Sequence, residues 1–188
     1  VEGQIILGAI GATAIVRVFQ ESSLASIYVI LLAFLGAGIS GSIWAFLSAY
    51  LKTKFGVHEL VNGFGLNIFA NGFLAFLVNG PWRRLGSLST GISDMFNQRV
   101  WLPEISGYRF SPLSLFVVLL IYILVSLYLK RTRIGLRLHA FRLNPDAKYI
   151  HGSFTTQTIW QTFMTSGFLA GISGAILVLG IYHQLNMT

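Results

Sequence analysis

The sequence predicts an all-α protein. It should be a polytopic membrane helical bundle of about five membrane segments, the first partial or broken, with short helices at the cytoplasmic surface before the last span. Three observations carry this. Hydrophobic residues make up 54% of the 188 and charged residues only 10%, with a mean hydropathy of +0.71, whereas soluble domains carry roughly a quarter charged residues. The apolar residues fall in runs of about the ~20 residues that a helix needs to cross a bilayer. The basic residues fall between those runs and mostly on one side. Lys52, Lys54, Lys130, Arg131, Arg133, Arg137, Arg142 and Lys148 all belong to the proposed cytoplasmic loops, which is the bias that orients membrane proteins. The net charge of +7 therefore reports topology. No aromatic-basic interleaving marks a nucleic-acid surface, and no nucleic acid partner is expected. With no cysteine, disulfides, thiolate metal sites and cysteine nucleophiles are excluded, and no metal site is expected.

Residues 1–188 form one membrane domain. The first residue is Val1 and apolar sequence lies at both ends, so the expectation is a fragment of a longer chain or one with a processed start. Gly3 to Val16 is apolar apart from Gln4 and Thr13, but spans only ~14 residues, roughly 21 Å of helix, short of the ~30 Å hydrocarbon core. It is expected to be half a span or a broken helix. With Arg17 at one membrane surface, Glu2 and Gln4 lie inside the membrane, where a carboxylate is costly and usually lines a cavity or pathway. An upstream segment that carries Glu2 elsewhere is the competing reading.

Ser22 to Leu51 holds no charge and is longer than a perpendicular crossing needs, so this span tilts or begins beyond the membrane edge. Gly36 and Ser40, with Ala37 and Gly41, put small residues four apart and let another helix approach closely. Leu60 to Val78 is the next crossing. Glu59, Gly63, Asn67 and Asn71 follow at i, i+4 steps and make one polar stripe, with Asn62 beside it. Asn62 is expected to hydrogen-bond another helix. For Asn67 and Asn71 the same role and a pathway-lining one weigh equally.

Asn79, Gly80 and Pro81 close that helix. An outer loop follows whose Trp82 and Trp101 suit an interfacial belt; a passive connection is its default role, and gating or receiving a delivered substrate the alternative. Phe110 to Leu129 returns the chain to the cytoplasm. Ser153 to Tyr182 is the last span, and its Ser166, Gly167, Ala170, Gly171 and Gly174 form a small-residue face. His183 is expected at the interface.

Between the last two spans lies the one long basic and polar stretch, Lys130 to Gly152. Ile134, Leu138 and Phe141 fall at i, i+4, i+7 and make an apolar stripe on a short helix. A second short helix follows, with Asn144 as cap, Pro145 at its first position and Asp146 near the positive end of its dipole. A docking surface for a cytoplasmic partner and a solvated loop that only fixes topology fit this spacing equally. No phosphate-binding loop, no H-E-x-x-H and no acid and histidine pair within one span occurs, so catalysis by this chain is not expected. A proton-coupled carrier would want ionisable residues in mid-span, for which only Glu2 offers itself.

Gly135, Leu136, Arg137, Leu138, Ala140, Asn144, Pro145, Ala147 and Gly152 resemble the cytoplasmic signature of bacterial ATP-binding cassette importer permeases of the simple-sugar and nucleoside type. Other matches come in the same order: Glu2, Gly3, Gln4, Gly8 and Ala9 in the first segment, then Phe55, Gly56, Val57, Glu59, Leu66 and Asn67. Ser166, Gly167, Ala170, Gly171, Gly174 and Gly180 resemble the glycine-rich helix after the docking loop. His139, Phe141, Arg142, Lys148 and Ser153 depart from the usual pattern, as do Gly63 and Gly65. The resemblance implies a permease subunit in the bacterial inner membrane that imports a nucleoside, simple sugar or riboflavin by alternating access. It implies a cytoplasmic ATPase, a second permease (same or paralogous) and an extracytoplasmic solute-binding protein as partners. ATP and Mg would sit on the ATPase and no cofactor on this chain. Residues 130–152 would be the coupling region, with Ile134, Gly135, Arg137, Leu138, Ala140, Phe141, Asn144, Pro145, Ala147 and Gly152 seated on the ATPase. Glu2, Gln4, Asn67 and Asn71 would lie near the substrate pathway. A membrane scaffold subunit and an autonomous carrier or channel remain the alternatives.

Overall fold

A computed structural model describes residues 2–22, 25–84, 91–102, 111–132, 135–136 and 152–187, with backbone alone at 152–155. Five helices among the described residues are long and apolar enough to cross a membrane: α1 (Glu2–Phe19), α2 (Ser26–Phe55), α3 (Glu59–Asn79), α4 (Pro112–Arg131) and α5 (Gly152–Leu177). A π-helical turn, Val178–Tyr182, prolongs α5.

The first segment differs from expectation. Helix α1 runs unbroken for 18 residues, ~27 Å, and passes Arg17 rather than stopping before it. The loops accommodate that charge. The Arg17 guanidinium lies 5.8 Å from the centre of the Trp82 ring and 3.9 Å from the Asp94 carboxylate, so these loop partners hold the charge without ending the helix. Helix α2, with 30 residues, exceeds a perpendicular crossing, as its charge-free length implies. Lys52 and Lys54 occupy its last turn, where cations offset the helix dipole. Gly56 then reverses the chain at φ 65°, a left-handed C-cap that other residues adopt at a cost. His58 caps α3 by accepting from the Leu60 amide, and Pro112 starts α4 where a missing N–H is harmless.

Small residues set the packing. Helices α1, α2 and α5 meet along glycines so closely that side chains would not fit: a β-carbon on Gly171 would collide with the Ala37 carbonyl, one on Gly41 with the Gly167 carbonyl, and one on Gly174 with the Ile5 carbonyl. Gly8 meets Gly171 backbone to backbone. This is the close approach that small residues four apart permit. Ser40 adds a hydrogen bond across it, its hydroxyl donating to the Leu7 carbonyl at 2.9 Å. Asn62 of α3 makes the interhelical bonds expected of it, donating to the Ser48 carbonyl (2.9 Å) and hydroxyl (3.0 Å) of α2. No residue of α4 is buried.

At the end of the bundle where α1 and α5 finish, residues 91–102 and 183–187 clasp each other. The Ser93 amide donates to Leu185 O, the Phe96 amide to His183 O and the Met187 amide to Gly91 O, with bridge pairings Arg83 to Ser93 and Ile92 to Asn186. Phe96, Val100, Leu102, Leu179 and Leu185 are all buried beneath this cover. His183, expected at the interface, is buried within the protein, 7% exposed, with its ring stacked on Trp101 at 4.1 Å between centroids. Trp101 turns inward with it and donates from Nε1 to the Phe96 carbonyl at 3.0 Å.

Candidate functional site

The start of α1 lies against the middle of α3. A β-carbon on Gly3 would come within 3.5 Å of the Asn67 backbone, and Asn67 lies ~12 Å along a ~30 Å helix from Glu59. Glu2 is thus held at mid-depth of the bundle. Its carboxylate Oε2 accepts a hydrogen bond from Asn67 Nδ2 at 2.7 Å. Asn71, one turn on, donates to the Asn67 carbonyl at 3.0 Å and to its side-chain oxygen at 3.5 Å. The i, i+4 spacing of the two asparagines lets one amide orient the other.

A cavity of about 600 Å³ opens beside this pair. Glu2, Gln4, Glu59, Gly63 and Asn67 line it from α1 and α3, so most of the polar stripe faces one space. Asn71 lies apart, on a second cavity of about 260 Å³ toward the C-terminal end of α5, lined also by Glu2, Leu74, Tyr182 and Met187. Glu2 borders both cavities.

Ser48, Phe64, Thr162 and Phe163 also line the larger cavity, and the sequence did not single them out for it. Their signal is tertiary. Ser48 belongs to α2 and Thr162 and Phe163 to α5, and only the packed bundle brings them to Glu59. Among the described residues no Lys, Arg or His lines this cavity. At its rim, by the start of α3, Lys52 pairs with Glu59 at 2.6 Å. The Gln4 side-chain oxygen is buried with no donor among the described residues. Among those residues no cluster of three His, Asp or Glu side chains is placed to hold a metal ion.

Of the residues assigned to coupling, the structure describes Gly135 and the Gly152 backbone. Gly135 is buried beyond the end of α4, its amide donating to Thr132 Oγ1 at 3.2 Å, and Gly152 begins α5. Ile134, Arg137, Leu138, Ala140, Phe141, Asn144, Pro145 and Ala147 lie outside the described residues, as do the departures Arg142 and Lys148.

The sequence matches the family described as branched-chain amino acid transport system, permease component, over residues 1–187. It is 26% identical over 185 residues to the guanosine ABC transporter permease protein of Bacillus subtilis, covering 97% of this chain and 52% of that one. Against the glucose ABC transporter permease protein of Haloferax volcanii the identity is 25% over 189 residues, covering 95% and 49%. The nucleoside ABC transporter permease protein of Lactococcus lactis is 20% identical over 149 residues, covering 76% and 41%. The chain therefore spans about half the length of these relatives. No solved structure matches it.

Proposed function

The chain belongs to the family of permease components of the branched-chain amino acid transport system, and from that membership we propose that it is the permease subunit of an ATP-driven importer for a neutral nucleoside or simple sugar. The observation that carries the reading is the polar cavity at mid-depth, bordered by Glu2, Gln4 and Asn67 inside a multi-pass membrane bundle. Polar side chains are costly there and usually mark a solute pathway. The lining favours a nucleoside or sugar over an amino acid, whose carboxylate would face Glu2 with no basic side chain among the described lining residues.

The rest of the machine is proposed by the same route. A cytoplasmic ATPase, carrying ATP and Mg, seats the stretch 130–152 through Ile134, Leu138 and Phe141. A second permease completes the pathway, and an extracytoplasmic binding protein delivers solute to the outer face of the bacterial inner membrane. The packing supports one route for a push. Helix α5 follows directly on the coupling stretch and is interlocked with α1 through Gly8, Gly171 and Gly174, so a shift of α5 carries Glu2 with it. Helix α3 has no such interlock at Gly63, Gly65 or Gly72, where nothing lies within 4 Å.

The test is ATP-driven uptake by the full-length permease with its ATPase and binding protein in proteoliposomes, across a panel of nucleosides, sugars and branched-chain amino acids. Uptake of a nucleoside or sugar, dependent on both partners, is expected; uptake without ATP would replace this reading with an autonomous carrier. In the same system Leu138→Glu should leave the complex assembled and ATP hydrolysed while lowering uptake at least about tenfold, because a charge on the apolar seat costs more than the ~1.4 kcal/mol that a factor of ten represents. Wild-type uptake by that variant would remove 130–152 from the coupling role.

A further inference from the structure

Glu2 is the point where the two cavities meet. The larger lies on its cytoplasmic side, toward Glu59 and Thr162, and the smaller on its outer side, under the tail residues Leu185 to Met187. The Asn67 amide closes on its carboxylate at 2.7 Å between them. We propose that this Glu2 to Asn67 hydrogen bond is the selectivity gate of the pathway: a solute passes by putting its own hydroxyl or amino donors on the Glu2 carboxylate in place of the Asn67 amide. The proposal rests on the permease reading given above.

Three features of the site support it. First, the exchange is balanced. The carboxylate gives up one N–H donor and receives an O–H or N–H from the solute, whereas a solute without donors would displace the Asn67 amide and return nothing in its place. Second, the Glu2 carboxylate keeps acceptor capacity on the larger cavity: an ionised carboxylate has about four acceptor sites, and Glu2, with the Asn67 amide on one oxygen, lines the space a solute hydroxyl would enter. Third, Glu59 is neutralised by Lys52, but among the described residues no basic side chain lines the cavity beside Glu2, so a phosphate ester meets repulsion from that carboxylate. The class admitted is neutral polyols and their amine-bearing relatives; phosphorylated forms of the same molecules are refused. Asn71 acts as a positioning residue, since its amide holds the Asn67 side-chain oxygen and turns the Asn67 donor toward Glu2.

The experiment uses the full-length transporter complex in vesicles preloaded with radiolabelled ribose or ribose 5-phosphate, and measures efflux without ATP. Asn67→Ala should raise ribose efflux about tenfold, the worth of one charge-assisted hydrogen bond, and leave ribose 5-phosphate retained. Glu2→Gln keeps an acceptor for Asn67 but removes the charge, and should bring the two efflux rates within about threefold of each other. Ribose efflux from Asn67→Ala at the wild-type rate would overturn the gate, as would equal leakage of both probes through that variant. If either variant fails to assemble, Asn67→Ser, which shortens the donor's reach without adding bulk, takes its place with the same expectation for ribose. These outcomes are separate from the permease reading, which stands or falls on ATP-driven uptake by the wild type.

Discussion

Helices α5 and α3 both carry several glycines, and the glycines do opposite things. On α5, Gly167, Gly171 and Gly174 face backbone of α1 and α2 so closely that any side chain collides. On α3, Gly63, Gly65 and Gly72 face open space, flanked by Phe64, Ile68, Phe69 and Phe76, all exposed. One set makes a rigid seam by van der Waals contact, which must do the work in lipid because no hydrophobic force drives helices together there. The other set leaves α3 touching its neighbours elsewhere, through the buried Ala70, Leu74 and Val78, the Trp44 to Phe69 stack and the polar pairs Asn62 to Ser48 and Asn67 to Glu2. A permease needs both kinds of joint: a rigid one to carry displacement and a breakable one to yield to it.

The largest effect should come from breaking the seam. Gly171→Leu places a side chain against the Ala37 carbonyl, and backbone cannot swing aside as a rotamer does. Overpacking of this kind costs ~1–3 kcal/mol and occasionally more, and contact on two helices at once puts this site at the upper end. Denaturant titration of the purified full-length permease should show the loss as a lowered midpoint with reduced assembled yield. A midpoint equal to that of wild type would mean that the helices are not in contact there.

The seam was legible in the sequence and the gate only half so. Gly36, Ala37, Ser40 and Gly41 on α2 and Gly167, Ala170, Gly171 and Gly174 on α5 announce close packing because small residues at four-residue spacing leave few other roles. The five spans were legible for the same kind of reason, since length and absence of charge are local properties. Helix α1 was drawn too short because Arg17 looks like a stop until Trp82 and Asp94 are seen beside it. His183 looked interfacial because its stacking partner Trp101 is far away in sequence. At the gate, the stripe Glu59, Gly63, Asn67 and Asn71 was visible as a period, and Glu2 as a costly charge. That Glu2 and Asn67 touch was not visible, because it depends on how α1 docks on α3.

A smaller effect should follow from weakening the polar joint without touching the gate. Asn62 is 6% exposed and gives its amide to two Ser48 oxygens. Asn62→Leu removes both bonds while keeping similar volume, and interhelical hydrogen bonds of this kind average ~0.6 kcal/mol with a ceiling near ~1.7. The denaturation midpoint should fall by an amount in that range, and the double variant Asn62→Leu with Ser48→Ala should fall by little more than the single one. Additive losses would mean that the two residues do not share an interaction.

The smallest effect tests the open side of the comparison and should carry the opposite sign. Gly72 lies in mid-helix on α3, exposed, with nothing within 4 Å of a built β-carbon. Gly72→Ala therefore meets no clash and removes the excess backbone freedom of glycine, worth ~0.5–1 kcal/mol in a helix interior. The single methyl should raise the midpoint slightly, where the same change at Gly171 would lower it, because Gly171 has the Ala37 carbonyl where the methyl would go. A loss at Gly72 would show that another part of the full-length permease, or the second permease, covers this face of α3. The open glycines would then belong to a second seam, and α3 would be held more firmly than its polar contacts alone imply.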